Sequence, residues 1–374
     1  MPRPIRASID LAALRSNLAV ARRAAGTAGI LAVVKANAYG HGLRRVLSAL
    51  EAADGVAMVE LDWALGARES GYRKPIVMLG GFYERRDVPL LSQARLTAVV
   101  HDAEQIRMLE SEPVERPIDV FLKVNSGMNR LGFELKEIDQ VVDRLRRSNK
   151  AGSVILMTHF ANADDAVGVD WQLQAFCNAI AGFGLPFSAA NSAALLRYPQ
   201  ARGDWVRPGI MLYGSSPFPE VQAEALGLRP VMTLETRVIG VQRLKPGDRV
   251  GYGGTYTARA PMRVGVIACG YADGYSRHAP SGTPVLVDGQ RTTSVGRVSM
   301  DLICVDLTGL PQAGVGSRVV LWGEGLSVDE VAASSNTVSY ELLCALNARV
   351  AVTTFDGGYS EEADGSADRR TRRA

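Results

Sequence analysis

Residues 30–42 read Ile30-Leu31-Ala32-Val33-Val34-Lys35-Ala36-Asn37-Ala38-Tyr39-Gly40-His41-Gly42. An unbroken apolar run rich in β-branched residues is the pattern of a strand covered on both faces, as in a parallel sheet, and the small, polar and glycine residues after it stop the strand. The same unit recurs at 56–59, 76–79, 96–100, 120–124, 154–157, weakly near Phe187, and at 206–212. Apolar residues at helical spacing, such as Leu11-Leu14-Leu18 and Ile106-Leu109, lie between or before these runs. Eight such runs with intervening helices predict an α/β fold, a (β/α)8 barrel of TIM type, over residues 1–228.

Beyond Pro230 the texture changes to Val, Thr, Arg and Gly with period-two stretches. Lys245-Pro246-Gly247-Asp248, Val287-Asp288-Gly289-Gln290 and Leu310-Pro311-Gln312 punctuate it as turns. A mostly β second domain over 229–374 is expected, with short helices at 328–334 and 340–346 and a frayed tail from about residue 361. The length of 374 residues suits one large and one smaller domain. Hydrophobic residues at 47% and charged residues at 22% exclude disorder as the main state. Lys+Arg, 42, barely exceeds Asp+Glu, 39, and Arg369, Arg370, Arg372 and Arg373 crowd the chain end, so no basic face for nucleic acid is expected. Cys177, Cys269, Cys304 and Cys344 are widely spaced, which predicts neither a zinc site, nor another metal, nor a disulfide framework. Charges interrupt the first residues where a signal peptide needs an apolar core, and no long apolar stretch follows. A cytoplasmic protein without membrane contact is expected.

Chemistry in a barrel of this type sits at the C-terminal ends of the strands. Here those ends carry Lys35, Glu60, His101, Lys123 with Asn125, His159, Asn191 with Ser192, and Arg207. A single polar strand end simply meets solvent, whereas a ring of them around one mouth reads as a site. Lys35 follows its strand directly, where an ammonium is costly to bury. It either snorkels to the mouth or is used covalently, as a Schiff-base lysine holding pyridoxal phosphate as an aldimine and freed by substrate as a base. Asn191-Ser192-Ala193-Ala194 and Arg207-Pro208-Gly209-Ile210, after the last two strands, offer a phosphate cradle: Ser192 donates a hydroxyl and Gly209 lets backbone N–H groups come close.

With these residues in view, the chain resembles the alanine racemase family, pyridoxal-phosphate enzymes that join a barrel to a β domain. The segments AVVKANAYGHG, LKVNSGMNRLGF, THFANAD, NSAA, VRPGIMLYG, VGYGGTYTA, GYADGY and VGRVSMD carry the resemblance in order along nearly the whole chain. It implies a homodimer with active sites shared between subunits, alanine as the small-molecule substrate, and L/D interconversion by two bases that supplies D-alanine for peptidoglycan. Inverting a Cα centre requires proton removal on one face and delivery on the other, which one base cannot easily do. The resemblance makes Lys35 the cofactor lysine and the base acting on the D-enantiomer. It makes Tyr252 the base acting on the L-enantiomer, supplied by the other subunit. A phenol needs cationic or hydrogen-bonding neighbours to serve as a base, and His159 and Arg207, in line behind the cofactor ring, are the family's candidates.

The resemblance also sets Arg207 against the pyridine nitrogen, where many pyridoxal enzymes place a carboxylate. A cation there disfavours ring protonation, shortens the carbanion's life and suppresses transamination. Arg130 would lie beside the cofactor's phenolic oxygen and the substrate carboxylate, held by a carbamylated Lys123. Tyr39, Ser192, Gly209 and Ile210 match phosphate contacts; Tyr271, Met300 and Asp301 match residues that the partner adds at the substrate entrance. Two departures stand out. A phosphate-binding tyrosine that some members carry before Arg-Val is replaced by Ala348, so that contact is absent or supplied otherwise, and Ser299 stands where some relatives have cysteine. The alternatives are a broader-specificity amino-acid racemase and a non-catalytic pyridoxal phosphate carrier. A carrier needs only the first domain and has no use for Tyr252 and Met300. A decarboxylase would put an acid where Arg207 stands, and a glycosidase needs paired carboxylates, of which only Glu60 qualifies.

Overall fold

Short apolar strands close into a ring because each is buried on both faces and can satisfy its backbone only against neighbours. In the computed structural model, which describes residues 3–357, the ring runs in the order Trp205–Val206, Gly29–Val33, Gly55–Met58, Ile76–Met78, Thr97–Val100, Ile118–Asn125, Ala151–Met157, Phe187–Ser188. Every pairing along this order is parallel. The ring is closed by Asp204 N–H to Phe187 O at 2.9 Å and Arg207 N–H to Ala190 O at 2.9 Å. This is the (β/α)8 barrel expected from the apolar runs. One boundary differs. The last strand ends at Val206 instead of running to residue 212, because Pro208 has no N–H to give, and Ile210–Tyr213 coils into a 3-10 helix.

The second unit is antiparallel and also closes on itself. Met232–Leu244, Met262–Ile267, Ile303–Asp306, Gln290–Val295, Pro284–Val287 and Arg318–Trp322 form a ring, the last strand pairing back on the first. The long strand Met232–Leu244 can serve both neighbours because a register shift between Val238 and Gly240 bends it. The helices Val328–Ser334 and Ser339–Cys344 fall where the sequence placed them. Residues 6–10 depart from the 1–228 span: Arg6–Asp10 pairs antiparallel with Met232–Leu244 and parallel with Ala351–Phe355, so the chain begins in the second sheet. Arg6 and Arg318 both bond the buried Glu235 there, a tether that no local sequence pattern announces.

Helix Leu11–Ala25 then carries the chain to the barrel, its start capped by Asp10, whose carboxylate accepts the N–H groups of Ala12 at 2.8 Å and Ala13 at 3.0 Å. Asn17 on this helix is buried and spends its amide on Leu212 O, Arg229 O and Arg229 N–H, which locks the helix to the passage between the two units. The tail expected to fray from about residue 361 lies outside the described residues. No helix among the described residues is long and apolar enough to cross a membrane.

Candidate active site

The chain leaves the strand Gly29–Val33 into an uncommon conformation. Ala36, Asn37, Ala38 and Tyr39 have φ of 52°, 55°, 55° and 51°, so a turn of left-handed helix made of non-glycine residues follows Lys35. Each costs about 1–2 kcal/mol relative to an ordinary conformation, and hydrogen bonds hold the turn against that cost. Ala38 N–H reaches Val34 O at 2.9 Å and Gly40 N–H reaches Ala36 O at 3.0 Å. Ala36 N–H binds the Glu60 carboxylate at 3.1 Å, and Leu43 N–H binds Asn37 Oδ1 at 2.8 Å. Helix Ser339–Cys344 presses on the turn: a Cβ on Gly40 would lie 2.0 Å from Leu343 O. The turn leaves Lys35 at the barrel mouth and Tyr39 buried, its ring stacked on Tyr213 at 4.7 Å.

Tyr39 then meets the end of the last strand. A Cβ on Gly209 would lie 2.6 Å from the Tyr39 hydroxyl, so glycine is required here for space and not for its φ. Ser192 Oγ accepts the Gly209 N–H at 2.8 Å, and Ser192 itself opens the short helix Ser192–Arg197 behind its Asn191 cap. Ile210 opens the 3-10 helix beside it. Tyr39 and Ser192, distant in sequence, thus meet at Gly209, with Ile210 next in the chain.

The other strand ends form a cluster of cations. Arg207 is fully enclosed and donates to Ser188 Oγ at 2.5 Å, Thr158 O at 2.7 Å and Ala189 O at 3.1 Å. Burial brings its pKa down to about 10. Its Nη2 lies 3.4 Å from His159 Nδ1, and since a guanidinium only donates, that nitrogen is the acceptor and His159 is neutral. Desolvation first, then Arg207, Lys123, Arg130 and Lys35, hold His159 well below the usual imidazole range. Lys123 is buried and brought down to about 8 by desolvation, then Arg207, Arg130 and Lys35. Lys35 is lowered too, by desolvation and then Arg130. Arg130 stands exposed on the same rim. Among the described residues no carboxylate forms an ion pair with Lys35, Lys123, Arg130 or Arg207. Anions that join such a cluster offset the cost of its buried charges.

The remaining residues singled out from the sequence lie on the second unit. Tyr252, between glycines of positive φ, is 71% exposed and its side chain makes no hydrogen bond or ring contact among the described residues. Tyr271, Met300 and Asp301 share one corner: Tyr271 N–H bonds Ser299 O at 3.1 Å and Ala272 N–H bonds Met300 O at 3.0 Å. Asp301 is held by Arg349 at 2.6 Å. The single chain does not bring this group to Lys35. Ala348 leaves no hydroxyl at its position, but Tyr340 from the helix pressing on the turn sets its ring 5.9 Å from that of Tyr39. Sequence reasoning missed Tyr340, and also Ser188, Thr158 and Gln172. Gln172 takes the Ala161 N–H at 2.7 Å and gives its own N–H to His159 O at 3.3 Å, steadying the loop that carries His159. A polar residue on the buried face of helix Asp170–Ile180 was the only available signal.

The model of the alanine racemase N-terminal domain matches residues 9–217, and that of the alanine racemase C-terminal domain matches residues 231–354. The chain belongs to the alanine racemase family. An alanine racemase of Nitrosomonas eutropha is 53% identical over 94% of this chain and 98% of its own length. A catabolic alanine racemase of Klebsiella aerogenes is 53% identical over 95% of this chain and 100% of its own. The crystal structure of the biosynthetic alanine racemase from Pseudomonas aeruginosa superimposes with a TM-score of 0.92 at 45% identity, covering 94% of this chain and 99% of that one. Alanine racemases are enzymes built as a barrel followed by a mostly antiparallel β unit, and this chain has that architecture throughout.

Proposed function

We propose that the protein interconverts L- and D-alanine with pyridoxal phosphate, using Lys35 and, from a partner subunit, Tyr252 as the two bases. The carrying observation is the cation cluster of Lys35, Lys123, Arg130 and Arg207, none ion-paired to a carboxylate among the described residues, together with the Tyr39 and Ser192 hydroxyls that meet at Gly209. The donor set suits a phosphate dianion, a phenolate and a substrate carboxylate, and a Cβ at Gly209 would fill the space, so the residues fit the cofactor. When bound, the cofactor supplies a carbonyl for amines and a sink for the electrons released at Cα.

The chain's own residues do the rest. Lys35, with its lowered pKa, is disposed to act as an amine base on one face of Cα. Tyr252 acts on the opposite face, and its exposure on the second unit of an isolated chain is consistent with a homodimer whose active sites are shared between subunits. Arg207, fixed by Ser188, Thr158 and Ala189, holds a cation where ring protonation would otherwise be favoured. Arg130 orients the substrate carboxylate with its planar fork. Tyr340 supplies the phenol that Ala348 does not. Tyr271, Met300 and Asp301 of the partner line the entrance.

Lys123 we assign as carbamylated. Carbon dioxide adds only to a neutral amine, and a pKa of about 8 leaves a useful neutral fraction at neutral pH. The amine nitrogen bonds the carbon, a proton is released to solvent, and the product is an anion between Arg130 and Arg207. Enantiomers have equal free energy in water, so the same site runs in either direction; the direction we assign is D-alanine supply for peptidoglycan, in the cytoplasm. The test is L-alanine with cofactor-loaded protein in heavy water. Deuterated D-alanine is the expected product. Deuterium exchange without inversion would remove Tyr252 from its role, and no exchange with alanine but turnover of larger amino acids would replace alanine as the substrate.

A further inference from the structure

Two carbonyls of the left-handed turn converge on one side chain. His41 Nδ1 lies 3.0 Å from Ala38 O and 2.8 Å from Tyr39 O. The ring is fully buried and tilted against Tyr213 at 4.6 Å, and Tyr213 in turn stacks on Tyr39. On the other side of the ring, Nε2 has no partner among the described residues. A ring nitrogen facing two carbonyl oxygens must carry the proton, since a bare lone pair would be repelled by both. His41 is therefore the Nδ1–H tautomer, with Nε2 bare. Burial holds its pKa down at about 4, so this form persists across the physiological range.

We propose that His41 is a positioning residue of the cofactor site: its Nδ1–H fastens the left-handed turn that sets Lys35 at one end and Tyr39 at the other. The proposal rests on the cofactor roles assigned above to Lys35 and Tyr39. Ala38 O already receives the His41 backbone N–H at 3.0 Å, so the ring's distinctive contribution is to Tyr39 O, a carbonyl in the residue that faces Gly209. Without that donor the buried carbonyl is orphaned, and four residues at positive φ lose a restraint at their C-terminal end. A phenyl ring of similar size would keep the contact with Tyr213 and lose this bond, which separates positioning from mere filling.

The test compares His41→Asn, His41→Gln and His41→Phe holoenzymes. An Asn amide nitrogen falls where Nδ1 stands, whereas a Gln amide reaches only the place of Nε2. Loss of bound pyridoxal phosphate is followed by its visible absorbance on dilution into a carbonyl trap, with kcat and KM measured in parallel. The Phe and Gln variants should lose cofactor about tenfold faster, as the loss of one buried hydrogen bond predicts, and Asn should largely restore retention. Equal loss in all three, or in none, overturns the proposal. The tautomer is read without substitution, by nitrogen NMR of the four histidines in the native holoenzyme. One neutral Nδ1–H ring whose state does not change between about pH 5.5 and 8.5 is expected, and an Nε2–H ring at His41 overturns the proposal however the variants fold. If the native chain binds no pyridoxal phosphate, the cofactor reading fails and this role with it, while the tautomer still reports on the turn itself.

Discussion

Replacing Lys123 by Met should stabilise the cofactor-free protein in carbon-dioxide-free buffer. The fall of the Lys123 pKa from 10.5 to about 8 corresponds to about 3 kcal/mol at ~1.4 kcal/mol per pH unit. The sign follows from proton counting. Between pH 8 and 10.5 the unfolded chain holds a proton on this amine that the folded chain has released, so native stability rises with pH across that window. Below pH 8 both states are protonated and the full cost is present. Met fills a similar volume and carries no charge, so at pH 7 Lys123→Met should gain about 3 kcal/mol over the native sequence in urea unfolding, and its extra stability should vanish by about pH 10.5. The other lysines are common to both proteins and, apart from the Lys35 repulsion already counted in that shift, cancel in the difference. Bicarbonate should then stabilise the native sequence and not the variant, because a carbamate turns a fourth cation in the cluster into a partner for Arg130 and Arg207. Protomer concentration must be matched throughout, since association contributes to stability. A Met variant no more stable than the native protein would refute the buried-cation reasoning, and indifference to bicarbonate would refute the carbamate.

Gly209→Ala should weaken pyridoxal phosphate binding by about tenfold or more, because the new methyl lies 2.6 Å from the Tyr39 hydroxyl; unchanged affinity in a spectroscopic titration would remove Gly209 from the cradle. Arg207→Gln should divert turnovers to the pyridoxamine form of the cofactor by relieving the cation that opposes ring protonation, and unaltered product partitioning would count against that role. Mixing inactive Lys35→Ala and Tyr252→Phe proteins in equal amounts should restore about a quarter of the native activity, since half of the dimers carry one intact shared site. No recovery after verified subunit exchange would place both bases on one chain.

The barrel was legible because its strands are continuous apolar runs, and all but the 76–79 run close with a polar residue that the topology sends to the same mouth. Lys35, Lys123, His159 and Arg207 could be named for that reason alone. The final strand was over-read: residues 206–212 are apolar enough for a strand, but Pro208 and Gly209 decide otherwise through a missing donor and a need for space. The left-handed turn left no trace in propensity, because Ala36, Ala38 and Tyr39 do not ordinarily take that conformation, and its backbone hydrogen bonds are joined by side-chain bonds from Glu60, Asn37 and His41 that sustain it. Tyr340 was hidden by a similar gap. It lies in a helix of the second unit, and nothing local says that this helix packs on the turn after Lys35.

By itself the amino-acid sequence determined the two architectures, the ring of polar strand ends and the lysine that ends the first barrel strand, since periodicity and composition are local properties of the chain. Tertiary structure alone decided which hydroxyl reaches which glycine, that the first strand belongs to the second sheet, and that the cations gather with no ion pair to an acid among the described residues. Those outcomes depend on contacts between separate elements of the chain, whose energies come from burial and from the pairing of groups that have lost water.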